Sequence, residues 1–457
     1  MVRMFTYLLA FALATPAFAD APLLQTNGTR VAGEYLVSFK NPFVMYDAAQ
    51  QMRDMGVQIN DMWESIQGAS VRMSADQLDA ALRMDGVAWI EESSLYYIAA
   101  NPAARTIPTA QRTGLYGLDQ IDSITPATRN GIYDAPADGT GVDVYVIDTG
   151  IRPTHQQFVG HFLRGANFIQ DGNTNDCNLH GTHVSGTATG RTFGVAPLAT
   201  IRDVRVFSCA GSTTNAAIIN GVNYVRTQSA TRPTRRAVAN MSLGGGASPM
   251  LDQVVNALAN ANVFVAVAAG NSNVNASTTS PARAAGAFAV GASTINLTRA
   301  SFSNFGTCTD IFAPGQDITS AWNTNDTATN TISGTSMATP HVTGGAALYL
   351  GAHPSAAPAE VQTALKDFAS KGNVTSAGAG SPNNLLFAGE GADPDPEDPG
   401  EEPPPGDCAG LPAWSASEFY LLGDQVGYSG HAWLLANWFS VGEAPGSTNS
   451  WLDLGPC

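Results

Sequence analysis

The chain has 457 residues, of which 44% are hydrophobic and 13% charged, enough for two to four domains with well-buried cores. Its formal net charge of −16 excludes the basic footprint that nucleic-acid binding needs. Half of that charge is local: residues 390–407 carry eight acidic side chains and no basic one.

The first segment reads as an export signal. Arg3 precedes the apolar stretch Phe5 to Ala14, and Ala17-Phe18-Ala19 forms a small-x-small cleavage site, so residues 1–19 are expected to be removed before Asp20. The apolar stretch is too short to span a bilayer; a buried N-terminal helix is the competing reading. No later apolar run is long enough for a membrane anchor. Export permits disulfides. Five cysteines (Cys177, Cys209, Cys308, Cys408, Cys457) leave at least one unpaired within the chain, and none forms C-x-x-C, against a cysteine zinc site.

Residues 20–32 read as a flexible lead. In 33–100, Glu34 to Phe39 alternates like a strand, Asp76 to Met84 has helical spacing, and Val87 to Glu91 reads as a second strand. This predicts a small α+β domain. Residues 101–113, rich in Pro, Ala and Thr with Arg105 and Arg112, are an exposed linker and processing site. From 114 to 388, apolar runs (142–147, 200–206, 237–241, 263–268, 288–290) alternate with helical patterns (213–228, 250–261, 337–351). Near-continuous apolar strands alternating with helices predict an α/β fold with a parallel sheet flanked by helices. Residues 389–407 are an acidic, Pro-rich linker. The final unit, 408–457, holds four of the seven tryptophans, and Cys408 and Cys457 bracket it. A unit so small needs a staple, which a disulfide between its ends would supply.

Three local signals in the large domain carry chemistry. Val144 to Gly150 puts Asp148 at the carboxyl end of a buried strand, where open parallel sheets build sites; alone, such an Asp is as readily a turn former. His180-Gly181-Thr182-His183 surrounds a histidine with small residues at a helix start. A zinc pair of His180 with His183 competes, but lacks the H-E-x-x-H spacing. Ser333-Gly334-Thr335-Ser336-Met337 opens a helix at Ser336 or Met337, so Ser336 is either a cap or a nucleophile facing backbone N–H groups.

Together the motifs VIDTGI, HGTHVSGT and SGTSMATPHV, in the order Asp, His, Ser, resemble the subtilisin-like serine proteases, specifically the proteinase K and aqualysin branch, over residues 114–388. The resemblance implies a secreted endopeptidase, acting as a monomer on proteins and peptides without a catalytic cofactor. Ser336 would be the nucleophile, His180 the general base, Asp148 its orienting partner, and Asn271 an oxyanion donor with the backbone N–H of Ser336. From its residues alone, Asn271 could be a left-handed turn residue after Gly270. Gly211 and Ser212 on one side, and Ser242, Leu243 and Gly244 on the other, would grip an extended peptide through the backbone. Ala268, Ala269 and Gly270 would line an uncharged primary pocket that accepts apolar or aromatic side chains.

The same resemblance makes 33–100 an inhibitory propeptide, cut within 100–113. It pairs Cys177 with Cys209 and leaves Cys308 as an odd, buried thiol. It also suggests structural calcium held by Asp310 and the carbonyls of Ala285 and Ala287; a simple surface Asp is the alternative. The last 50 residues resemble small chitin- and cellulose-binding modules of all-β fold, with Tyr428, Trp438 and Phe439 as candidate sugar-stacking residues, unless the aromatics only fill a tiny core. Two further readings differ in class. An inactive polysaccharide-binding adhesin is disfavoured by the intact site residues. An α/β-hydrolase esterase is disfavoured because its Ser precedes Asp and His.

Overall fold

A computed structural model describes residues 20–98, 115–123, 128–131, 133, 135, 137–389 and parts of 413–456. The signal segment, the processing segment, most of the acidic linker, Cys408, Trp438 and Cys457 lie outside the described residues. The chain divides into two units. One comprises Ala32–Glu92 with the residues up to Gln25, the other Ser93–Cys457 with Thr26–Val31.

The first unit contains β1 (Leu23–Leu24), β2 (Arg30–Phe39), α1 (Pro42–Asp54), β3 (Gln58–Trp63), β4 (Gly68–Arg72), α2 (Ala75–Leu82) and the first half of β5 (Val87–Ile98). Its sheet runs β3-β4-β2-β5, with β1 added on β5. The lead expected to be flexible is therefore partly strand, since Leu23 pairs with Ile90. Helix α1 starts where Asn41 Oδ1 accepts from the N–H groups of Phe43 and Val44, and Pro42 fills the first turn. Met45, Ala48, Ala49 and Met52 form its buried face against Val37, Val71 and Ile90. Ser74 and Gln77 make a reciprocal capping box on α2.

The second unit contains α3 (Tyr116–Ile121), β6 (Val142–Asp148), β7 (Phe162–Asn167), α4 (His180–Thr189), β8 (Thr200–Arg205), β9 (Ser212–Thr214), α5 (Asn215–Ala230), β10 (Arg236–Met241), β11 (Leu243–Gly246), α6 (Pro249–Asn260) and β12 (Val263–Ala268). It continues through β13 (Thr279–Ser280), β14 (Phe288–Ser293), β15 (Ile311–Pro314), β16 (Ile318–Ala321), β17 (Thr329–Ile332), α7 (Thr335–Ala352), α8 (Pro358–Asp367), β18 (Ser370–Lys371) and β19 (Asn384–Leu385). The central sheet has the order β18-β19-β15-β14-β12-β10-β6-β8-β7. Every neighbouring pair from β19 to β7 is parallel, and β18 closes the edge antiparallel. Its middle strands are buried on both faces, which is why β12 reads VFVAVA without alternation.

Helix α7 packs on β6, β10, β12, β14 and β15, and every residue from Thr335 to Leu348 is buried, so it is enclosed on all sides rather than amphipathic. Pro340 lies inside it and has no N–H to give to the carbonyl of Ser336 four residues earlier.

The C-terminal residues form β20 (Phe419–Leu421), β21 (Gln425–Tyr428), β22 (His431–Leu435), β23 (Phe439–Val441) and β24 (Trp451–Pro456). Pairing among them is antiparallel, β20 with β23 and β22 with both β21 and β24. Val426 is buried between Trp414 and Trp433.

Candidate active site

Strand β6 ends in Asp148, which is fully buried. Its Oδ1 accepts from the Thr149 N–H at 2.7 Å and faces His180 Nδ1 at 2.8 Å. The other ring nitrogen, His180 Nε2, is buried and makes no hydrogen bond among the described residues. His180 is the first residue of α4. The residue before it, Leu179, has φ 93°, a left-handed backbone unusual for a branched side chain.

What holds that turn is Asp176. Its Oδ1 accepts from the N–H groups of Asn178 and Leu179 and from Thr149 Oγ1, each at 2.9 Å. Its Oδ2 accepts from the N–H and Oγ1 of Thr182 at 3.0 and 2.6 Å. Burial pushes this carboxyl's pKa up, and these bonds work against the rise. Thr149 Oγ1 also accepts from Gly181 N at 2.9 Å, so the segments carrying Asp148 and His180 are laced together.

His183, the other half of the conceivable zinc pair, faces away. Its Nε2 donates to the Ile318 carbonyl at 3.0 Å and its ring meets Trp322 edge-on. Burial lowers its pKa to about 3.

Ser336 is the second residue of α7 and is fully buried. Its Oγ donates to the Ser242 carbonyl at 2.9 Å rather than to His180. Ser242 Oγ in turn donates to the Ser336 carbonyl at 2.9 Å, the acceptor that Pro340 cannot serve. Asn240 Nδ2 donates to Ser242 Oγ, and Thr343 Oγ1 to Asn240 Oδ1, fixing the hydroxyl network.

Asn271 is not in the left-handed region. Its Oδ1 accepts from the N–H and Oγ1 of Thr335, at 2.9 and 2.8 Å, which assigns the amide's other end as the NH₂ donor. The loop around it is held by buried Asn304. That side chain donates to the Ala269 carbonyl and accepts from the N–H groups of Ser272 and Val274. Gly270 has φ +105°, and a Cβ there would lie 2.4 Å from Asn304 Nδ2. Ala268 and Ala269 are buried at the end of β12. Asp176, Asn304 and the orienting role of Thr335 escape sequence reasoning. Thr335 lies within a recognised motif, but the partners of the other two are set by the fold.

The residues expected to grip a peptide lie beside a strand of the chain itself. The end of β5 lies antiparallel to two strands at once, with Tyr97 opposite Ser212 of β9 on one side and Gly244 of β11 on the other. Ile98 pairs with Leu243, and its N–H donates to the Gly211 carbonyl. Tyr96 is fully buried, its ring against Gly245 and its hydroxyl donating to the Gly246 carbonyl at 2.6 Å.

Cys177 and Cys209 form a disulfide that ties the approach to His180 to the loop before Ser212. Cys308 is a free thiol and half-buried, not buried as expected. The calcium expectation meets an obstacle. Asp310 Oδ2 accepts from the Ala289 N–H at 2.8 Å, and Oδ1 pairs with Lys366 Nζ at 2.7 Å. With one Asp310 oxygen taken by a backbone N–H and the other by an ammonium, the set Asp310, Ala285 and Ala287 does not fit calcium as arranged. In the C-terminal unit, Tyr428 packs edge-on against Trp414, with ring centroids 5.3 Å apart, and its carbonyl accepts from Trp433 Nε1. Phe439 opens β23.

The subtilase family model matches residues 139–388, more than half of the chain. The chain belongs to the subtilase family. This subtilase is 47% identical over 344 residues to an extracellular serine proteinase of Thermus sp. (strain Rt41A), covering 74% of this chain and 80% of that protein. It is 38% identical over 397 residues to alkaline serine exoprotease A of Vibrio alginolyticus, covering 84% and 72%. Among solved structures, a cold adapted subtilisin-like serine proteinase aligns at TM-score 0.57 with 44% identity, covering 60% of this chain and 98% of that one. Fervidolysin from Fervidobacterium pennivorans aligns at TM-score 0.64 with 21% identity, over 81% and 62%, and speaks for the fold alone. The subtilase is a serine-type peptidase with a parallel α/β fold. No helix among the described residues is long and apolar enough to cross a membrane.

Proposed function

We propose that this subtilase is a secreted endopeptidase that cuts peptide bonds through an acyl-enzyme on Ser336, and that residues 33–100 inhibit it until they are removed. The observation that carries the reading is the segment Leu95–Ile98, seated as a strand between β9 and β11. A peptide held this way gains main-chain hydrogen bonds on both sides with little demand on its sequence. For reaction, Ser336 Oγ leaves the Ser242 carbonyl and gives its proton to His180 Nε2 while attacking the scissile carbonyl. Leaving also frees the Ser242 carbonyl to accept an N–H of the bound peptide. Asp148 holds His180 in the required tautomer and stabilises the imidazolium, which then protonates the leaving amine. The Asn271 amide and the Ser336 N–H receive the oxyanion at the start of α7, where the helix dipole favours negative charge.

The small uncharged residues Ala268, Ala269 and Gly270 favour apolar or aromatic side chains in the primary pocket. The aromatic C-terminal unit tethers the enzyme to an insoluble polysaccharide such as chitin. The test is processing. In the expressing host's medium the parent chain is expected as a shortened form that digests casein. Ser336→Ala is expected to accumulate with 33–100 attached and to be inactive. A Ser336→Ala protein that is still processed and digests casein would refute the assignment.

A further inference from the structure

Just before β15, a lysine ammonium sits on the carboxylate that the family resemblance assigns to a metal ion. Asp310 is the one charged ligand of the expected set; Ala285 and Ala287 would offer only carbonyls. Calcium binds oxygen ligands at roughly 2.3–2.6 Å and its affinity rises with the number of charged ligands. Lys366 Nζ lies 2.7 Å from Asp310 Oδ1 and 5.3 Å from the centroid of the Phe288 ring. A dication on the same oxygen would meet that ammonium at short range, and like charges repel strongly outside bulk water. To admit the ion, Lys366 would give up both its ion pair and its place over the aromatic face.

We infer that Lys366 is a built-in cation that takes the structural place of calcium at Asp310 and keeps the ion out. The geometry also gives the ammonium a task. Lys366 lies in the last turn of α8, Phe288 opens β14, and Asp310 immediately precedes β15. One side chain therefore clips a surface helix to two neighbouring strands of the central sheet.

The test counts bound calcium by isothermal titration calorimetry on full-length protein stripped with EDTA, in a Ser336→Ala background that resists self-digestion. Asp310→Asn alone is expected to leave the stoichiometry unchanged. Lys366→Met is expected to gain one equivalent, which adding Asp310→Asn removes. In thermal melts, Lys366→Met should unfold at lower temperature in EDTA and recover with calcium by more than the parent does. Lys366→Gln serves if the Met variant does not fold. Loss of one equivalent in Asp310→Asn with Lys366 present would overturn the inference. So would the absence of any gained equivalent in both lysine variants.

Discussion

The Asn271 amide is oriented before any substrate arrives, because Thr335 occupies its oxygen with two donors. In the proposed role of oxyanion donor, it acts on charge that develops in the transition state and does little for the ground state. Asn271→Ala should lower kcat by about 10²–10³-fold with KM nearly unchanged. Steady-state kinetics on a peptide amide checks this, and a change confined to KM would contradict it. Asp148, His180, Ser336 and Asn271 were legible because each lies in a short stretch whose neighbours are constrained by the same chemistry. Asp176 was not, although it stands four residues before His180. Its value comes from five donors in two segments, and only the fold brings Thr149 to it. Lys366 was hidden for the same reason, since its partner Asp310 is 56 positions away.

Elements that are buried on both faces could be read from the chain, as the apolar runs at β6, β10 and β12 show. Helix α1 is not among the predicted elements, although Met45, Ala48, Ala49 and Met52 carry its spacing after the Asn41-Pro42 start. The lead at Leu23–Leu24 has no periodicity of its own, and its strand character comes from β5, more than sixty residues on. Helix α4 depends on a contact that no propensity describes. A Cβ on Gly181 would lie 2.1 Å from the Gly150 carbonyl oxygen, and both are backbone of the site. Gly181→Ala should therefore force α4 from the end of β6, at a cost of about 3 kcal/mol. Chemical denaturation of the variant in the Ser336→Ala background measures that loss; wild-type stability would show that the turn yields freely.

The molecule as a whole should be sensitive to mild acid. Burial lowers the pKa of His183 to about 3 and that of His341 to about 4, so both rings are neutral when folded. Unfolded, each takes up a proton near pH 6.5. Their contribution is thus complete above about pH 6.5 and is lost as pH falls toward 4 and 3, by roughly 1.4 kcal/mol per pH unit for each ring. Burial raises the carboxyl pKa values of Asp176, Asp203 and Asp252 and acts in the opposite sense. A difference measurement isolates the histidine effect. Between pH 6 and 4.5, unfolding free energies of His341→Gln should fall less steeply than those of the parent by about that amount per unit, and parallel slopes would contradict the argument.

The proline at 340 has a consequence of its own. Because its ring nitrogen carries no hydrogen, the first turn of α7 has a vacant acceptor, and Ser242, the residue between β10 and β11, fills it. Together with the reciprocal bond from Ser336 Oγ to the Ser242 carbonyl, this fastens the start of α7 to the segment that leads into β11. Restoring an amide hydrogen at 340 would let the helix satisfy itself, and the fastening would loosen without any catalytic side chain being altered.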